Sequence, residues 1–187
     1  MSSVLSAMDR LGSASLTRGM TDHSLTVLST VAALASAVAG GMMFVFSTFV
    51  MRGLDRVGPL DAISAMRGIN AEAESNALFL IVYFGAAVLA VAVGVLAGLR
   101  WHTPGSAWLL AGAVCGVVGA IVTVAFNVPL NDRLDAGPVS APAWNSYLDA
   151  WTRWNHVRTV SSLAAAALLT VGAVQRADVA HRVTMAA

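Results

Sequence analysis

Lysine is absent from this chain, cysteine occurs once, and no acidic residue interrupts any of its long apolar runs. All eleven basic residues are therefore arginine, from which no chemistry follows. The lone thiol, Cys115, lies midway along the third run, which excludes intramolecular disulfides and Cys-x-x-Cys redox or zinc chemistry. It reads as a small hydrophobe. Without an acid inside a run there is no intramembrane carboxylate of the kind a proton-coupled exporter uses. Paired axial histidines for haem are missing too, because His23, His102 and His181 only flank the runs. A net charge of +1 gives no electrostatic case for a nucleic-acid partner.

What is present is apolar: 57% of the 187 residues are hydrophobic and 11% charged, the balance of a membrane protein. Ser24–Met51, Ser75–Leu99, Trp101–Asn131 and Thr159–Gln175 carry no charged side chain. Three of these exceed the ~20 residues that an apolar helix needs to cross a ~30 Å hydrocarbon core. The fourth reaches that length when the membrane boundary lies near Arg158. The expected fold is all-α, a bundle of four transmembrane helices spanning about 23–51, 71–99, 106–130 and 142–175, with two longer connections capping one end. Residues 1–22 and 177–187 read as tails around a 23–176 membrane domain. Ala35-Ser-Ala37 resembles a signal-peptidase site, but the apolar run continues to Val50, so the first helix reads as retained. The chain is expected as a multi-pass cell-membrane protein in contact with the bilayer. Five arginines on the side of the termini against six on the other leave a near-tied count, with both termini read as cytoplasmic.

Small residues recur at Ala33, Ala37 and Gly41, at Ala86, Ala90, Gly94 and Gly98, and at Gly112, Gly116 and Ala120. Rows of this kind let membrane helices approach closely. In the first connection, Leu60, Ile63 and Met66 predict a short amphipathic helix after Gly58-Pro59. Asn70 is expected to cap the second long helix, and Ser140 the fourth. Pro129 should kink or end the third. The second connection, 100–105, is a tight turn, with Trp101 and Trp108 as interface anchors.

Polar residues fall into stripes. Thr123, Asn127 and Asn131 share one face of the third helix; Trp151, Asn155, Arg158 and Ser162 share one of the fourth; Glu72, Asn76 and Tyr83 share one at the start of the second. A guanidinium at an apolar boundary normally faces a polar interior and has a partner, and Glu72, Glu74 and Asn127 are the available ones. Two readings stand beside each other. Arg158 either snorkels to headgroups while the asparagines bond between helices, or the stripes enclose a pocket with aromatic walls, Trp151 and Trp154, and a polar end. His156 is the one histidine near this constellation, and a metal site there is not indicated.

The motifs Met66-x-x-Ile69-Asn70, Asn127-x-Pro129-x-Asn131-x-x-Leu134 and Trp151-x-x-Trp154-Asn155-x-x-Arg158-Thr159 resemble the anthrone-oxygenase-like family of four-helix membrane proteins over about residues 25–175. The resemblance implies a four-helix membrane fold. It also implies relatedness to enzymes that oxidise anthrones to anthraquinones in polyketide pathways without flavin, haem or metal. It carries functional residues over to Asn127, Asn131, Trp154, Asn155 and Arg158. On that reading, Trp151 and Trp154 stack on a lipophilic aromatic compound, with Asn70, Tyr83 and Asn131 also lining its site. Asn127, Asn155 and Arg158 hold an oxyanion, and His156 or Glu74 takes the proton. The other class left open is a non-enzymatic membrane protein that binds a lipophile or scaffolds a partner. A cavity between the stripes favours small-molecule work, and a closed polar plug favours structure.

Overall fold

The computed structural model describes the backbone from Ser2 to Met185, and side chains from His23 to Val179 together with His181, Arg182 and Met185. Five helices form it. Helix α1 runs through Ser2–Val45, a π-turn at Phe46–Val50 and Met51–Arg56. Then come α2, Pro59–Ser75, and α3, Ala77–Leu99. Helix α4 runs through Ser106–Val122, a second π-turn at Thr123–Asn127 and Val128–Ala136, and α5 is Ala141–Met185. Four of them are long and apolar enough to cross a membrane, at His23–Arg56, Ala77–Leu99, Ser106–Ala136 and Ala141–Val179. The chain is a membrane-embedded all-α bundle.

Several boundaries differ from the sequence reading. The backbone is helical from Ser2 and continues to Met185, across the tails expected at 1–22 and 177–187. No proline interrupts either stretch, so no ladder bond is removed there. The side chains of residues 1–22 lie outside the description. Asn70 is not a cap: it is buried in the body of α2, because the apolar spacing of Ile63 and Met66 carries that helix on to Ser75. The cap of α3 is Asn76, whose Oδ1 accepts from the Phe79 N–H at 3.0 Å. Ser140 caps α5 as expected, accepting from the Ala143 N–H at 3.4 Å. Pro129 neither ends α4 nor stands alone. The π-turn directly before it absorbs the irregularity and the helix runs on to Ala136.

Close approach falls mainly where the small residues predict it. A Cβ on Gly94 would sit 2.7 Å from the Ala113 Cβ, one on Gly116 2.9 Å from that of Ala90, and one on Gly112 2.8 Å from Leu169 Cγ. These hold α3, α4 and α5 together. The α1 row is the exception. Ala37 is exposed and a Cβ on Gly41 would meet nothing within 4 Å, while one on Gly40 would sit 2.8 Å from the Leu163 side chain. The face α1 buries is Leu25, Ser29, Ala32, Ala33, Ser36, Ala39, Gly40 and Met43, so of the expected row only Ala33 lies on it.

The two long connections pack together over one end. The Arg67 guanidinium donates to the Leu134 carbonyl from Nε at 3.1 Å and Nη2 at 2.8 Å, and to the Gly137 carbonyl at 2.8 Å. Trp144 Nε1 donates to Asp55 Oδ1 at 2.8 Å. Beneath these latches lies an apolar cluster of Met51, Ile63, Met66, Leu134, Trp144, Tyr147 and Trp151.

Candidate functional site

Below that cap, α1, α2, α3 and the second π-turn diverge around a cavity of about 740 Å3. Its walls are apolar, with Met42, Phe46, Met66, Phe79 and Phe84 prominent. Its inner polar members come mainly from the predicted stripes: Asn70, Tyr83, Thr123, Asn127, Asn131 and Arg158, with Trp151 beside them, while Glu72, Glu74 and Asn76 stand at its exposed rim. The size and the ratio of apolar wall to polar points are those of a small-molecule site.

Most of the polar members are fixed by an identifiable bond. Tyr83 and Thr123 share a hydrogen bond of 2.6 Å, tying α3 to the π-turn of α4. Asn127 Nδ2 donates to the Trp151 carbonyl at 3.3 Å. Asn131 Oδ1 accepts twice, from Tyr147 at 3.0 Å and from Trp151 Nε1 at 2.9 Å. The stripes of α4 and α5 therefore meet through Trp151, rather than by a direct bond from Asn127 or Asn131 to Asn155 or Arg158.

Arg158 is only 6% exposed. Its Nη2 donates to Asn155 Oδ1 at 2.6 Å, and its guanidinium carbon lies 5.0 Å from the centre of the Trp151 ring. Among the described residues no carboxylate pairs with it; the acids expected as partners, Glu72 and Glu74, sit at the exposed rim of the cavity. Asn155 is wholly buried, and its amide nitrogen donates to the Met43 carbonyl and to Ser47 Oγ, both at 2.8 Å. It fastens the first π-turn to α5 and positions Arg158, without lining the cavity itself. Three atoms of lining residues are buried with no hydrogen-bond partner: Arg158 Nε, Asn127 Oδ1 and Asn70 Nδ2. Leaving such groups unpaired costs about 1–3 kcal/mol each, so their gathering around one cavity requires an explanation.

Besides Asn155, two residues expected in the site lie elsewhere. His156 is exposed in a separate recess with Arg52, Asp55, Arg56, Asp149 and Arg153, because two steps along a helix turn it about 200° from Arg158. Trp154 stacks on Phe126 with ring centres 3.6 Å apart and planes 10° apart, on the outer side of the α4–α5 contact. The structure brings Arg158, Asn127, Asn131, Asn70, Tyr83, Trp151 and Glu74 to the cavity. Sequence reasoning misses the share of α1, Met42, Met43 and Phe46, whose apolar side chains are indistinguishable in sequence from lipid-facing ones. Among the described residues no three His, Cys, Asp or Glu side chains are grouped to hold a metal.

The family model described as Anthrone oxygenase matches residues 79–168. That stretch, just under half of the chain, is similar to the family. The matched stretch holds most of α3, all of α4 and the part of α5 that supplies Trp151, Asn155 and Arg158. Helices α1 and α2, which complete the cavity, lie outside it. Neither curated proteins nor solved structures give a significant match.

Proposed function

We propose that this protein is a membrane oxygenase that converts an anthrone-like, lipophilic aromatic carbon acid to the corresponding quinone with molecular oxygen. The observation that carries the reading is the apolar cavity with one buried, acid-free guanidinium at its polar end. The similarity of residues 79–168 to the anthrone oxygenase family supports the same reading.

The chemistry follows from the substrate. A methylene between two aryl rings and conjugated to a carbonyl loses a proton to give an anion whose charge rests mainly on oxygen. The apolar cavity holds the rings, and Trp151 supplies an aromatic face. Arg158, in low dielectric and with no competing carboxylate, stabilises the oxyanion. Glu74 or Glu72 at the rim accepts the proton and exchanges it with water. The electron-rich carbon reduces oxygen, the carbon–oxygen bond forms as a hydroperoxide, and loss of water leaves the second carbonyl. One methylene and one O2 thus give one carbonyl and one H2O. His156 and Trp154 take no part in this scheme.

A second reading, binding of the lipophile without turnover, is favoured by the position of Glu72 and Glu74, which are solvent-exposed rather than enclosed. One experiment separates the two. Purified protein in detergent is given emodin anthrone, and both Trp fluorescence quenching and oxygen uptake are followed. Quenching with oxygen uptake far above the spontaneous rate, lost in Arg158→Ala, supports the oxygenase. Quenching with only the spontaneous rate leaves a binding protein.

A further inference from the structure

On the outer face of the α1–α5 contact lies a second recess, of about 680 Å3, that the oxidation does not use. Its wall carries three arginines, Arg52, Arg56 and Arg153, with His156 beside them. Two aspartates also face it: Asp149 pairs with Arg153 at 3.0 Å, while Asp55 accepts from the neutral indole of Trp144, which does not offset its charge. Arg52 and Arg56 are exposed and face the recess, and among the described residues no carboxylate is bonded to either.

Directly below, the same faces turn apolar. On α1, Phe49 lies one turn before Arg52 and is 63% exposed. On α5, Val157 and Val160 follow Arg153 and His156 on the same side, and Val160 is 68% exposed. Both strips lie within helices long and apolar enough to span a membrane. The change from cations to exposed hydrocarbon within one or two turns marks a membrane surface, where arginines attract anionic headgroups.

We propose that this recess binds the phosphodiester headgroup of an anionic phospholipid. Arg52 and Arg56 hold the phosphate, and the acyl chains lie along Phe49 and Val160. Three arginines against two aspartates leave the recess with one net positive charge. A zwitterionic lipid offers the same phosphate with its charge already compensated, so that surplus discriminates against it. The occupant would not touch the cavity, because α1 and α5 lie between them. Ser47 nevertheless lines the recess and accepts from Asn155, so an occupied recess clamps the two helices where the first π-turn joins them.

The test titrates dioleoylphosphatidylglycerol into the full chain in a non-ionic detergent, reading thermal melting and native mass spectrometry. The melting temperature should rise and saturate as one or two lipids remain bound. Dioleoylphosphatidylcholine and inorganic phosphate should raise it little at the same concentration. Arg52→Gln/Arg56→Gln should need about thirtyfold more lipid for the same rise, the product of two arginine–headgroup attractions. Arg133→Gln, which removes a cation from the same end but outside the recess, should behave as wild type. Both recess arginines are exposed, so the double variant should melt as wild type without lipid, confirming an intact fold. An equal response to phosphatidylcholine or phosphate, or an equal loss in Arg133→Gln, overturns the proposal.

Discussion

Arg158 lies 5.0 Å over the ring of Trp151, and the same tryptophan donates its indole N–H to Asn131 and accepts from Asn127 on its carbonyl. One residue thus joins the cation of the site to both asparagines of the facing helix. Trp151→Phe keeps a ring face but removes the indole donor, leaving Asn131 with Tyr147 alone. That should cost about 0.5–1.5 kcal/mol of stability. Trp151→Ala should cost about 3–5 kcal/mol, because a buried aromatic is lost from the cap cluster as well. Unfolding free energies in mixed micelles measure both.

Arg158 and Asn155 are neighbours in the hydrogen-bond network and should fail differently. Arg158→Ala removes the guanidinium proposed to face the oxyanion, so oxygen uptake should fall about 10²–10³-fold. It also leaves Asn155 Oδ1 without its donor, so melting should fall too, but by less than in Asn155→Ala. Asn155→Ala breaks two bonds to α1 and should lower the melting temperature by several degrees, at roughly 2–4 °C per kcal/mol for a chain of this length. The reverse pattern would show that Arg158 is structural.

Ser47→Ala and Asn155→Ala form a cycle across one 2.8 Å bond. Their stability losses should be non-additive by about 0.5 kcal/mol or more, whereas Ser47→Ala and Arg67→Ala, on unrelated contacts, should add.

Glycine substitutions distinguish the packed rows from the nominal one. Gly112→Ala pushes a methyl against the Leu169 side chain and backbone and should destabilise the bundle. Gly41→Ala meets nothing and should be neutral or stabilising by up to about 1 kcal/mol through helix propensity. Equal melting of the two variants would contradict the packing described.

Arg67→Ala removes three hydrogen bonds that close the cap. Amide exchange in residues 137–140 should accelerate while exchange in the middle of α3 stays unchanged, which mass spectrometry of deuterated peptides would show.

The four crossings are legible in the sequence because exclusion of charge over a membrane's thickness is a property of composition. The stripe linking Asn127, Asn131, Trp151 and Arg158 is legible because spacing of three and four survives in helices. Much of what escapes has a common cause in the two π-turns. Each inserts an extra residue into the helical period, so on α1 burial passes from Ala39 and Met43 to Met51. Val50, the position that an unbroken period favours, is only half-buried. Nothing in Phe46–Val50 announces this. Met42 and Phe46 therefore read as lipid-facing, though they wall the cavity. Asn70 escapes for another reason: an asparagine before two glutamates looks like a cap, and only the apolar period running through it shows otherwise. His156 is misplaced by sequence proximity, which says little when two positions put side chains on nearly opposite sides of a helix.

The latched cap has a kinetic consequence. Arg67 and Asp55 hold the connections shut over the cavity, while the exposed members of its lining include Val45 on α1 and Glu72 and Asn76 beside α3. A lipophile crossing that rim arrives already dissolved in the bilayer. Its effective concentration is then a mole fraction in the lipid phase, and adding inert lipid at fixed substrate slows the reaction by surface dilution. An apparent KM expressed per litre of buffer would change with every preparation, whereas one expressed per mole of lipid would stay constant.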